Sequence, residues 1–254
     1  TFNGAGVAVF GPQTRDVLFE TGVVAADRIW VTGAPRMDGW RDRSAVRKDS
    51  PGVTLLAYYG KGYRARAHYE GVLRSLAILS SQVSGFRFAV KFKKAGAEME
   101  YSRQLVEDVG HRMDFVAHEP LYDLFSRSRV IIGFNSLALI EALLSDAEIY
   151  VPNWGETARN LDDLMLDPSD ALTQEVMRFP TSLEEMESML RDALRAPIGR
   201  SENASRERTR LFRRFFEFPD ETTCSDQVEQ FILSFVRNAD RNNGARKDSA
   251  SATL

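Results

Sequence analysis

The chain has 254 residues, which suffices for one large domain or two small ones. Hydrophobic residues make up 43% and charged residues 27%, close to the average of soluble globular proteins, so general disorder and fibrous repeats are excluded. Lysine and arginine total 33 against 36 acidic residues, giving a net charge of -3. No global basic field attracts nucleic acid, and we expect no nucleic-acid partner.

One cysteine, Cys224, excludes an internal disulfide framework, and three scattered histidines form no zinc-ligand pattern. We therefore expect no bound metal, no resident cofactor and a reducing, cytoplasmic compartment. No apolar run approaches the ~20 residues of a membrane span, which leaves peripheral contact with the inner face of the cell membrane open. Because the chain begins with Thr1, and a strand-like run follows at once, we expect residues to be missing upstream.

Apolar runs predict buried strands, and segments of helical periodicity separate them. The predicted strands are Val7–Gly11, Arg28–Gly33, Val53–Gly60, Phe86–Phe92, Val130–Phe134 and Glu148–Pro152. The predicted helices are Thr14–Thr21, Arg66–Gln82, Met99–Val109, Pro120–Ser128, Leu137–Ser145, Ser182–Arg195, Ala204–Phe218 and Ser225–Arg237. Alternation of strand and helix predicts an α/β fold: a Rossmann-type parallel sheet with flanking crossover helices and a helical C-terminal region.

Composition also predicts the domain boundaries. A charged stretch ending in Pro51–Gly52 is typical of a linker, so residues 1–41 form a short N-terminal piece and residues 51–200 the main domain. Residues 201–237 follow as C-terminal helices. The polar tail, residues 238–254, buries too little apolar surface to offset its ordering entropy and is expected to be disordered.

Candidate binding residues follow the strands, because open parallel sheets bind ligands beyond the carboxyl ends of their strands. Gly60 and Lys61 form a flexible loop with one cation that suits a diphosphate, although a simple turn with a solvated lysine fits as well. Lys91 and Lys93 share one face of their strand if alternation holds. They favour either phosphate binding or a solvated edge strand.

Residues 130–143 (VIIGFNSLALIEAL) give the strongest local signal. Asn135 or Ser136 can cap the helix that follows the strand, which exposes amides to an anion. Glu141 lies within an apolar helix, where a carboxylate needs a reason. Two readings stay open: it holds a ribose or sugar hydroxyl, or it is a partly exposed residue paired with an arginine.

Two further loops carry polar or aromatic side chains. After the last strand, Asn153, Trp154 and Glu156 could cover a base or sugar, or Trp154 could simply anchor the loop. Arg36 and Asp38 follow the second strand and either face a binding cleft or form a surface ion pair.

The segment Gly199–Phe218 alternates six arginines with apolar residues. Such a basic helix either contacts anionic lipid or packs its apolar side on the body of the protein, and the second arrangement is commoner.

Several segments together resemble GT-B glycosyltransferases of bacterial surface carbohydrate (capsule or lipopolysaccharide) biosynthesis, a group related to the CDP-glycerol glycerophosphotransferases. They are Val7–Pro12 (VAVFGP), Ile29–Asp38 (IWVTGAPRMD), Phe88–Lys93 (FAVKFK), Ile132–Ala142 (IGFNSLALIEA) and Val151–Glu156 (VPNWGE), with a weaker echo from Phe215 to Ser225.

The resemblance implies two Rossmann-like domains, with the acceptor on the first and a nucleotide-activated donor on the second. Residues 1 to about 40 would then end a truncated acceptor domain, and the donor domain would begin near residue 51. By position, Asn135, Ser136 and Glu141 match the donor-binding segment. Arg36 and Asp38 match the domain-junction motif. The catalytic base would belong to the acceptor domain, so this chain alone is expected to be inactive.

The expected function is therefore transfer of a sugar from a nucleotide-sugar donor to a surface polysaccharide or lipid-linked acceptor. Many relatives have Lys-x-His-Pro where this chain has Lys91 to Lys94, so Lys93 would replace a histidine contact to phosphate. The alternatives are a CDP-glycerol-type glycerophosphotransferase, a UDP-sugar epimerase-like enzyme and an inactive nucleotide-binding domain.

Overall fold

The computed structural model describes residues 3–40, 52–58, 66–134, 136–155, 166–196 and 202–236. The chain divides into two compact units, a first unit of residues 1–43 and 212–254 and a second unit of residues 44–211. The predicted linker, apart from Gly52, and the predicted polar tail lie outside the described residues.

The elements are numbered along the whole chain. The strands are β1 (Val7–Val9), β2 (Ile29–Val31), β3 (Gly52–Leu56), β4 (Arg87–Lys91), β5 (Met113–Val116), β6 (Ser128–Ile132) and β7 (Glu148–Tyr150). The α-helices are α1 (Pro12–Glu20), α2 (Arg66–Gln82), α3 (Ala97–Leu105), α4 (Leu121–Ser126), α5 (Leu137–Ala142), α6 (Ala171–Val176), α7 (Leu183–Arg195), α8 (Glu202–Phe215) and α9 (residues 224–236). Short 3-10 helices cover Ala26–Arg28 and Pro35–Trp40.

The first unit holds a two-stranded parallel sheet in which Val7 of β1 pairs with Ile29 of β2. Helix α1 connects the strands and has a proline in its first turn, where the missing amide hydrogen costs nothing. Helix α9 supplies Phe231 and Phe235, whose rings lie 5.3 and 5.5 Å from that of Trp30. Aromatic packing therefore attaches the end of the chain to the β1–β2 pair.

The second unit contains a five-stranded sheet in the order β5-β4-β3-β6-β7, with every neighbouring pair parallel. All five residues of β3 are buried, as expected for a central strand covered on both faces. Together with the helical C-terminal region, this sheet confirms the predicted α/β class.

Helix α2 begins and ends where its apolar periodicity predicts. Tyr69, Val72, Leu73 and Leu76 lie three or four residues apart and are all buried, so they form one face of the helix. That face packs into the core with side chains of β3 and β4. Each buried side chain of this size stabilises the fold by roughly 1.5–3 kcal/mol.

The sequence prediction missed two elements, a strand and a helix. Strand β5 was not predicted, because it is short and the exposed Asp114 interrupts its apolar residues. Helix α6 was also missed, although Asp170 caps it by accepting a hydrogen bond from the Thr173 amide at 2.9 Å. In addition, β4 ends at Lys91, so Phe92 lies just beyond the strand.

The order of the strands predicts where this sheet would bind a ligand. From β3 the chain adds β4 and β5 on one side and then returns to add β6 and β7 on the other. The order therefore reverses between β3 and β6, and open parallel sheets bind ligands beyond the carboxyl ends of the strands at such a switch point.

Candidate functional site

Aromatic and small residues line the ends of β3 and β6. The rings of Tyr58, after β3, and Phe134, after β6, have centroids 5.5 Å apart. A side chain at Gly133 would place its Cβ 2.9 Å from a terminal methyl of Leu139 and 3.0 Å from one of Leu56, so these side chains would have to shift. Glycine therefore favours the close approach of α5 to the end of β3.

Part of the predicted phosphate-binding set lies outside the described residues, namely Gly60, Lys61 and Asn135. Ser136 is described and caps α5, since its hydroxyl oxygen accepts a hydrogen bond from the Ala138 amide at 3.3 Å. The strand-to-helix turn predicted from the sequence is therefore present, with Ser136 in the capping role.

Glu141 is 8% exposed, so the interpretation of a partly exposed helix residue does not hold. Its neighbours Ile140 and Ala142 are fully buried. A carboxylate in such surroundings needs strong polar interactions. Hydroxyl recognition by Glu141 stays a prediction.

Arg208 of α8 also acts at α5. Its guanidinium donates hydrogen bonds to the carbonyl oxygens of Ala142 at 3.2 Å, Leu143 at 3.3 Å and Ala147 at 2.8 Å. The side chain is 4% exposed. These bonds join α8 to the end of α5 and to Ala147, directly before β7, and the Ala142 carbonyl also accepts hydrogen bonds from the amide and the hydroxyl of Ser145.

The basic segment around α8 thus has a structural role that its sequence pattern did not single out. Leu211 is buried, whereas Arg206 and Arg210 are exposed. This arrangement matches the apolar-side packing considered for the segment. Lipid contact by its exposed arginines stays a prediction.

Lys91 lies at the carboxyl end of β4. Its ammonium donates to the carbonyl oxygen of Phe92 at 2.9 Å and to that of Ala117, after β5. Burial lowers the pKa of Lys91. An ammonium has three donors, and the described residues accept two of them. Lys93 is exposed.

The loop after β7 carries the third group of predicted site residues. The Asn153 amide donates to the Pro180 carbonyl at 2.9 Å, which fixes the start of the loop. Trp154 is half-buried and packs against the core of the second unit. Gly155 has a φ of 59°, a conformation that favours glycine. Glu156 lies outside the described residues.

His68, in the first turn of α2, contacts this loop and was not among the predicted site residues. Its ring lies edge-on to that of Trp154 with centroids 5.9 Å apart, and its Nε2 would be only 2.4 Å from a Cβ on Gly155. The contact joins the start of α2, which follows β3, to the loop after β7, and β6 lies between these two strands in the sheet. A lone histidine gave no sequence signal, since its partners are distant in the chain.

A polar network holds the start of α2 against α3. Glu70 accepts hydrogen bonds from Arg66 at 2.7 Å and from the Tyr101 hydroxyl, and the Arg66 guanidinium lies 4.6 Å from the centre of the Tyr101 ring. Burial raises the pKa of Glu70, but these two hydrogen bonds outweigh it and hold the pKa below its ordinary value. The network orients the turn of α2 that carries His68.

Arg36 and Asp38 both have contacts within the first unit. The Arg36 guanidinium lies 5.6 Å from the ring centre of Phe10 and 5.5 Å from that of Phe216, within cation–π range. Asp38 accepts a hydrogen bond from the Cys224 amide at 2.7 Å. The roles of Arg36 and Asp38 toward an acceptor stay predictions.

Within the described ranges of the chain, no three His, Cys, Asp or Glu side chains come together in a way that could hold a metal ion. Among the same residues, no helix combines the length and apolarity needed to cross a bilayer.

Comparison with solved structures supports the fold. The wall teichoic acid polymerase TagF superposes with a TM-score of 0.61 at 9% identity, covering 94% of this chain and 59% of that one. The S. aureus MnaA–UDP co-structure gives a TM-score of 0.53 at 12% identity, covering 88% and 58%. A UDP-N-acetylglucosamine 2-epimerase gives 0.52 at 14% identity, covering 92% and 58%.

These likenesses establish a shared GT-B-like, Rossmann-type architecture, in agreement with the sheet order described above. At such low identity they show the fold alone. The chain spans less than two thirds of the length of each of these neighbours. No protein-family model and no curated protein sequence matches the chain.

Proposed function

We propose that the chain supplies the donor-binding part of a glycosyltransferase that transfers a sugar from a nucleotide-activated donor to a surface polysaccharide or lipid-linked acceptor. The carrying observation is that half-buried aromatic rings follow the carboxyl ends of β3 and β7, on either side of β6 at the switch point: Tyr58, His68 and Trp154. Half-buried aromatic rings with polar atoms suit a base and sugar better than a purely ionic ligand.

The proposed reaction determines which charges and hydrogen-bond donors the site must supply. The acceptor hydroxyl oxygen bonds to the anomeric carbon of the donor while the bond from that carbon to the phosphate oxygen breaks. The hydroxyl proton passes to a base, and the diphosphate leaves with the electron pair. Negative charge therefore grows on the diphosphate, where preorganised amides and cations lower the barrier.

In this proposal, Lys61, Lys91 and Lys93 supply the cations, and the amides at the turn through Asn135 and Ser136 supply hydrogen-bond donors. The position of Lys91 supports its part, because the bonds to Phe92 and Ala117 fix the ammonium near the carboxyl ends of β4 and β5. Glu141 holds a ribose or sugar hydroxyl.

A CDP-glycerol-type glycerophosphotransferase is the second candidate. It is supported by the TM-score of 0.61 to TagF and by a TagF variant solved after a soak with CDPG, which superposes at 0.53. In that reaction the acceptor hydroxyl would attack phosphorus instead of carbon, and CMP would leave. An epimerase and an inactive nucleotide-binding domain are the remaining alternatives.

Calorimetric titration with UDP, UDP-sugars, CDP and CDP-glycerol tests the proposal. We expect saturable binding of UDP and at least one UDP-sugar, with weaker binding of CDP-glycerol. Preference for CDP-glycerol would favour the glycerophosphotransferase. Release of an epimerised UDP-sugar without any acceptor would favour the epimerase. Absence of binding by every nucleotide would overturn the proposal.

A further inference from the structure

His68 has unused hydrogen-bonding capacity beside the switch point. Among the residues that the structure describes, its buried Nδ1 has no hydrogen-bond partner. The imidazole ring packs edge-on against the Trp154 ring, and its Nε2 lies against Gly155.

Such an arrangement is unfavourable for stability alone. Leaving a buried polar atom without a partner costs roughly 1–3 kcal/mol, whereas an apolar side chain of similar size would avoid that penalty. Buried polar atoms without partners are rare in folded proteins, and ligand binding is one of the reasons for them. The neighbourhood of His68 also requires a glycine at residue 155, since any side chain there would meet the imidazole.

We propose that His68 is a specificity-determining residue that hydrogen-bonds the heterocyclic base of the donor nucleotide, with Trp154 as the apolar wall beside that base. This inference rests on the proposed function. It assigns the base, and not the diphosphate, to the region where the loop after β7 meets the start of α2.

The surroundings favour the base over the diphosphate. Among the described residues, the indole ring of Trp154 and the backbone of Gly155 lie against His68. Lys91, by contrast, holds its ammonium beside the carbonyls that follow β4 and β5. A neutral base edge with donors and acceptors matches an imidazole whose Nδ1 is unused.

The test compares two substitutions at one position. His68→Leu removes both nitrogens and keeps a comparable volume, and His68→Asn retains a polar donor and acceptor near the position of Nδ1. We expect the leucine variant to unfold at an equal or higher temperature than wild type and to bind UDP at least about tenfold more weakly. The asparagine variant should recover part of that affinity.

Inorganic pyrophosphate separates the two halves of the nucleotide. If His68 contacts the base, His68→Leu leaves pyrophosphate affinity unchanged while UDP affinity falls. Equal losses for both ligands would overturn the assignment to the base. His111→Leu is the matched control, because His111 precedes β5 at the opposite edge of the sheet and its loss should leave UDP affinity at the wild-type value.

The inference and the proposed function fail in different ways. If wild type and His68→Leu bind UDP with the same affinity, the role of His68 is overturned and the proposed function is unaffected. Wild-type protein that binds neither pyrophosphate nor any nucleotide would overturn the proposed function itself. Titration of the full chain with UDP and with pyrophosphate, in parallel with thermal unfolding, distinguishes these outcomes.

Discussion

Ser225 donates two hydrogen bonds to Asp38, from its amide at 3.0 Å and from its hydroxyl at 2.6 Å, both to Oδ2. The Cys224 amide binds the other carboxylate oxygen. Asp38 therefore satisfies the first amides of α9 in the way of a helix cap, although it lies 186 residues from Cys224 in the chain. The Pro35–Trp40 segment and the start of α9 are joined by this carboxylate.

Replacing Asp38 by alanine should destabilise the first unit. The amides of Cys224 and Ser225 would lose their acceptor, and we expect the free energy of unfolding in urea to fall by about 1–2 kcal/mol. Asp27→Ala is the control, since Asp27 is exposed and should change stability by less than about 0.5 kcal/mol. Equal losses in the two variants would contradict the capping role.

The same contact predicts a pH dependence. Burial raises the pKa of Asp38, but the hydrogen bonds from Ser225 and Cys224 outweigh it and leave the pKa below its ordinary value. A depressed pKa stabilises the folded chain above the unfolded-state pKa of about 3.9, and this contribution is lost as the pH falls through the folded-state pKa. The difference between wild type and Asp38→Ala should be constant from about pH 5 to 7 and shrink at lower pH. If the stability difference between wild type and Asp38→Ala stays constant down to pH 2, the depressed pKa of Asp38 is contradicted.

Arg208 should be one of the most sensitive positions in the second unit. Arg208→Ala removes the hydrogen bonds to the carbonyls of Ala142, Leu143 and Ala147, so we expect the free energy of unfolding in denaturant to fall by about 2–4 kcal/mol. Arg208→Lys should recover only part of the loss, because an ammonium cannot reproduce the planar geometry. Arg206→Ala, an exposed change on the same helix, should be nearly neutral. A neutral Arg208→Ala would refute the assigned role.

Gly155, in the loop after β7, can be compared with Gly22, which has a similar backbone conformation. Both have positive φ, at 59° and 63°, but a Cβ at Gly22 meets nothing within 4 Å whereas one at Gly155 meets His68. Gly22→Ala should lose about 1 kcal/mol from backbone strain alone, and Gly155→Ala should lose more. Adding His68→Ala to Gly155→Ala should relieve the steric part in a double-mutant cycle. Additive effects would contradict direct contact.

Lys91 can be tested with pyrophosphate alone. Lys91→Met removes the ammonium and keeps most of the side-chain length, and we expect pyrophosphate affinity to fall about tenfold. Lys94→Met, at an exposed lysine nearby, controls for the general loss of one positive charge. Similar affinities in the two variants would assign Lys91 a structural role only.

Much of the fold could be predicted from sequence because the main strands are continuous apolar runs. Strand β3 lies within Val53–Gly60 except for its first residue, and α2 has the predicted bounds. Strand β5 could not be predicted, since an edge strand with Asp114 on its surface lacks both an apolar run and clear alternation. A strand has a continuous apolar sequence only where both faces of the sheet are buried, and β5 does not meet that condition.

Residues of the candidate site could be predicted only where their role depends on neighbours close in the sequence. Ser136 was recognisable because a cap lies next to its helix. The partners of Lys91 and Arg208 are backbone carbonyls of other segments, which no side-chain pattern reveals. His68 depends on a contact with Trp154, far away in the chain, and a lone histidine carries no spacing from which to infer it.

A crystal structure of the chain with UDP tests the central claim most directly. We predict that the nucleotide lies beyond the carboxyl ends of β3 and β6, with its base within hydrogen-bonding distance of His68 and beside Trp154. Nucleotide bound elsewhere, for example in the groove lined by Arg103 and His111 at the β5 edge, would contradict the assignment of the donor site to the switch point.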